Sequence, residues 1–117
     1  MRIGIAVDGS SPARAGVELV AGLPLGASDQ VFAIAVAEPP TTLAATPLSH
    51  APVLSSYAEL ALEAAQDHAR MVAGHAVQRL AGLACPVMPL IRVGHTIEVV
   101  RGLVEEQGLD LLVLGPR

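Results

Sequence analysis

Four short apolar runs, separated by three stretches of helical period, constrain this chain more than any other feature. The runs lie near residues 3–8, 31–37, 87–92 and 110–115. Val31-Phe32-Ala33-Ile34-Ala35-Val36-Ala37 is almost uninterrupted and rich in β-branched residues, as a parallel strand covered on both faces should be. Between the runs, Pro12 to about Leu23 carries Val17, Val20 and Leu23 at helical spacing. Ser56 to Leu83 carries Leu62, Ala65, Ala69, Val72, Ala76, Leu80 and Leu83. Ile97, Val100 and Leu103/Val104 give the third helix its buried stripe. The order β-α-β-α-β-α-β predicts an open parallel α/β sheet with right-handed crossovers and helices on both faces. Pro86 and Pro89 place the third strand at an edge, where a missing N–H does no harm.

The first strand stops at Asp8-Gly9-Ser10. Ser11 suits the N-cap of the next helix and Pro12 its first turn. A carboxylate at the carboxyl end of a strand is well placed to meet a ligand in an open α/β sheet. The same carboxylate can equally tie down its own turn through an Asx-type hydrogen bond. Glu38 to Ser55, with Pro39, Pro40, Pro47 and Pro52, keeps no period and reads as a mobile proline-rich loop.

With 117 residues, the chain makes one domain. Its net charge is −4, lysine is absent, and Phe32 and Tyr57 are its only aromatic residues. Phosphate-backbone affinity and base stacking both lack their usual groups, so nucleic acid is not an expected partner. No run is long and proline-free enough to span a bilayer, and a cytoplasmic location is expected. Cys85 is alone, which excludes a disulfide framework. His68 and His75 lie seven residues apart, too far along a helix for a metal-binding pair. Neither G-x-x-x-x-G-K-[ST], G-x-G-x-x-G nor G-x-S-x-G occurs. No catalytic residue is identified, no metal site is expected, and the chain is read as no robust enzyme.

Val7-Asp8-Gly9-Ser10 at the end of the first strand resembles the opening of the universal stress protein family. Ala35-Val36-Ala37-Glu38, Arg92-Val93-Gly94-His95-Thr96 and Asp110-Leu111-Leu112-Val113-Leu114-Gly115 are similar to that family's second strand end, glycine turn and fourth strand. The resemblance implies an adenine nucleotide α-hydrolase-like sheet of order 3-2-1-4-5, with the fifth strand outside these residues. It implies an adenine nucleotide, ATP or AMP, at the carboxyl ends of strands 1 and 4. Ala6, Val7 and Val36 would hold the adenine and Asp8 the nucleoside. Gly115 and Arg117 would lie by the phosphates, with magnesium present only as a nucleotide-bound ion. Pro116 stands where the family usually has serine, and no phosphate loop follows Gly115, so weak phosphate affinity is expected. The domain is accordingly read as C-terminally incomplete. A homodimer or a tandem-domain partner is expected to cover the apolar edge from Leu111 to Leu114. The alternative is a nucleotide-free dimerising module of the same fold.

Overall fold

The computed structural model describes residues 1–40 and 51–115. Strand β1 (Arg2–Ala6) leads into helix α1 (Ser11–Ala21), and β2 (Gln30–Ala37) into the long α2 (Ala51–Arg79). Strand β3 (Val87–Val93), helix α3 (Thr96–Glu106) and β4 (Leu111–Val113) complete the series. All strand pairs are parallel and the order is β3-β2-β1-β4. The alternation of elements expected from the sequence is therefore present, with β1 between β2 and β4. Pro89 sits on the edge strand β3, as its missing N–H requires.

Side chains alternate across the sheet. Ile3, Ile5 and Val7 join Val31, Ala33, Ala35 and Ala37 on one face, under Val17 and Val20 of α1, Ala69, Val72, Ala73 and Ala76 of α2, and Leu80 just beyond it. Alanines at these helix positions let α2 lie close to the sheet, and Ile5, Val20 and Leu80 are almost wholly buried. Burying a side chain of that size contributes about 1.5–3 kcal/mol. The opposite face is smaller: Phe32 and Ile34 pack with Val100 and Leu103 of α3.

Several details differ from the sequence reading. Ser10, not Ser11, caps α1, its hydroxyl accepting a hydrogen bond from the Ala13 N–H at 3.3 Å. Helix α2 starts at Ala51 rather than near Ser56, with Pro52 as its second residue. Proline is tolerated there because the first N–H groups of a helix have no intrahelical acceptor. The expected mobile loop falls largely on residues 41–50, which lie outside the described residues. Ile97 is not buried: it is 73 % exposed, because α3 turns Val100 and Leu103 to the sheet. Strand β4 is only three residues long, and Leu114 beyond it stays exposed.

Candidate functional site

Parallel strands all point their carboxyl ends one way, so the turns after β1, β2, β3 and β4 gather at one end of the sheet. There a cavity of about 810 Å³ opens between the first turn of α1, the sheet and α3. Ala6, Val7, Asp8, Val36 and Gly115 all line it. The structure thus brings together five of the six residues singled out in the sequence. The sixth, Arg117, lies outside the described residues, as does Pro116.

Each of these five is placed by local chemistry. The Asp8 carboxylate accepts the Ser10 N–H at 2.9 Å, closing an Asx turn. Gly9 makes that turn with φ of +83°, a conformation that side chains resist. Asp8 is nonetheless exposed and reaches the cavity. Both readings of this carboxylate are therefore compatible: it holds its turn and faces the open space. Gly115 passes against the first turn of α1. A Cβ there would fall 2.5 Å from the Pro12 carbonyl carbon and 2.7 Å from its oxygen. Glycine is needed for that approach. The Val7 N–H donates to the Ile34 carbonyl at 2.8 Å, so it is engaged within the sheet and is not a donor for a ligand.

Two residues at this end escaped the sequence reading. Glu38, just beyond β2, reaches across to α3. Its carboxylate accepts the Thr96 N–H at 3.1 Å and the Thr96 hydroxyl at 2.6 Å. A negative charge on a helix N-terminus is stabilising. His95 occupies the N-cap position without a capping side-chain bond, so Glu38 supplies the cap from 58 residues away. No local pattern could have shown this. The other is Arg101, which lines the cavity beside Val100 and Val104. Its signal was present: a cation set within the apolar steps of α3.

The described side chains bring no three His, Cys, Asp or Glu residues together for a metal ion. Cys85 is buried as a free thiol. No helix among the described residues is long and apolar enough to cross a membrane. The cavity walls are apolar but for Asp8, Ser10, Thr96, Arg101 and Glu105. Such a space suits a flat or aliphatic body with a few polar anchors.

The family model described as the universal stress protein family matches residues 1–117. No curated protein matches the sequence significantly. Among solved structures, a universal stress protein family member from Burkholderia pseudomallei superposes with a TM-score of 0.68 at 21 % identity. The match covers 98 % of this chain and 80 % of that one. Universal stress protein UspA from Lactobacillus plantarum gives a TM-score of 0.59 at 19 % identity, over 97 % and 75 % of the two chains. A Mycobacterium tuberculosis H37Rv protein gives 0.63 at 18 %, over 98 % and 70 %.

Proposed function

Since the chain belongs to the universal stress protein family, we propose that it is a regulatory domain that binds an adenine nucleotide in the crevice at the carboxyl end of its sheet, with no robust catalysis of its own. The observation that carries this reading is the cavity of about 810 Å³ lined jointly by Ala6, Val7, Asp8, Val36 and Gly115. Ala6, Ile34 and Val36 offer an apolar wall for a purine ring. Asp8 offers a carboxylate for the ribose hydroxyls, and hydrogen bonds to a charged acceptor are among the stronger ones. ATP, AMP and adenosine are the ligands to compare, with any magnesium arriving on the nucleotide. The domain would work in the cytoplasm, where Cys85 stays reduced.

Calorimetry with adenosine tests this reading. Asp8→Asn keeps an oxygen for the Asx turn but loses the charge, and should weaken adenosine binding about tenfold, the worth of one charge-assisted hydrogen bond. Binding that is undiminished in Asp8→Asn and Asp8→Ala alike would remove the crevice from consideration.

A second reading is a nucleotide-free module that pairs with another copy or a tandem domain. It is favoured by one observation: β4 is an edge strand, with Leu111 40 % and Leu114 59 % exposed. An apolar edge of this kind invites a partner. Sedimentation equilibrium with and without ATP separates the two.

A further inference from the structure

Phosphate needs donors or positive charge, and among the described residues the carboxyl end of this sheet offers little of either. At α1, Pro12 has no N–H and the Ala13 N–H is held by Ser10. At α3, the Glu38 carboxylate already sits on the Thr96 N–H and hydroxyl. It would repel a second anion there. Asp8 and Glu105 add negative charge to the cavity wall. Four of the other described arginines are committed. Arg2 is bonded to Gln107 and Gln30, Arg70 to Asp67, Arg79 to Glu18, and Arg92 pairs with Glu106. Among the described residues, Arg14 and Arg101 are the arginines for which no acceptor is seen. Of these two, Arg101 lines the crevice, while Arg14 lines a separate groove of about 280 Å³ between α1 and α2. Glu105, one turn along the helix, could have paired with Arg101, yet no ion pair forms between them.

We propose that Arg101 is a phosphate-recognising residue of the crevice, and so contributes to the preference between a nucleotide and its nucleoside. This rests on the nucleotide reading given above. A helical side chain leans toward the helix N-terminus. From its place on α3, Arg101 lines the same cavity as Thr96 and Asp8. Its planar fork matches two phosphate oxygens. One arginine is less than a loop of backbone donors, so the preference is modest and salt-sensitive.

Titration calorimetry with adenosine and with ATP, on the wild type, Arg101→Gln and Arg101→Lys, tests the assignment. At low salt the wild type should bind ATP about tenfold more tightly than adenosine, as one charge-assisted contact predicts. Arg101→Gln should lose that preference while keeping its adenosine affinity. Arg101→Lys should keep part of it, since charge survives without the fork. Arg101 is exposed, and an unchanged thermal midpoint of the variants will show that they fold. If adenosine binds but ATP gains nothing in the wild type, the assignment falls and the nucleotide reading stands. The assignment also falls if Arg101→Gln retains the ATP preference. If neither ligand binds the wild type, the nucleotide reading and the assignment fall together.

Discussion

The two ends of the sheet use polar residues in opposite ways. At the amino end they close on one another. Arg2 donates to the Gln107 carbonyl and to the Gln30 side chain, lies 5.0 Å from the centre of the Phe32 ring, and takes Asp110 on its own N–H. The Met1 ammonium pairs with Asp29 at 2.7 Å. At the carboxyl end, Asp8 and Arg101 instead line an open cavity, and the polar bonds that do form hold turns and helix starts. The chain spends its few charges on fastening one end and leaving the other accessible. In an open parallel sheet the carboxyl end is the one at which ligands bind. The contrast therefore separates residues that fasten the amino end from residues that line the crevice at the carboxyl end.

The sharpest way to break that contrast is Arg2→Ala. It removes bonds to three groups and a cation–π contact, all half-buried. A loss of about 2–3 kcal/mol in unfolding free energy is expected, with nucleotide affinity unchanged. Chemical denaturation gives the first quantity and calorimetry the second. A variant of wild-type stability would show that the amino end is not a fastening at all.

Gly115→Ala addresses the other end. The added methyl would meet backbone atoms of Pro12 and Ala13 at 2.5–2.8 Å, and backbone cannot turn aside as a flexible side chain can. Moving α1 away from β4 should cost about 1–3 kcal/mol and widen the crevice. Here stability and adenosine affinity should fall together, unlike the Arg2 case. Glu38→Ala is milder. It removes a remote helix cap, worth about 1 kcal/mol, and should loosen the first turn of α3 as read by amide exchange at Thr96.

How far the sequence reached follows from the same physics. Periodicity depends on residues near in sequence, so Val31 to Ala37 and the Ala69–Val72–Ala76–Leu80 stripe were legible as strand and helix. The parallel sense of the sheet followed from their alternation, and its strand order from the family resemblance. Asp8 was legible because it lies where a strand ends in a turn, whereas Gly115 was singled out only through the family resemblance of its strand. Glu38 was not, since its partner Thr96 is 58 residues away and nothing local marks the pair. Ile97 was misread because a helical stripe tells which residues share a face, not how much of that face the sheet covers. The start of α2 was misjudged because proline blocks a helix interior but not its first turn.

The smallest expected effect is at the amino end and depends on pH. The Asp29 carboxyl is held below its ordinary value of 3.8, chiefly by the hydrogen bond from the Met1 ammonium and then by the Gly26 N–H. The ammonium is held above its ordinary 8.0, chiefly by the same bond. A lowered acid stabilises the fold fully above pH 3.8 and loses that contribution as pH falls through its folded value. A raised base stabilises fully below pH 8.0 and loses its contribution as pH rises through its folded value. Both contributions are present between these limits. Asp29→Asn should therefore destabilise most near about pH 6 and less near about pH 10, above the ammonium's ordinary value. The pair is exposed to water, so salt should shrink the difference further. Denaturation midpoints of the two proteins, at both pH values and at two salt concentrations, supply the check. A gap between wild type and variant that stays constant across pH and salt would assign the role of Asp29 to the Gly26 turn alone. The amino end would then be fastened by Arg2 and its partners without help from the charged terminus.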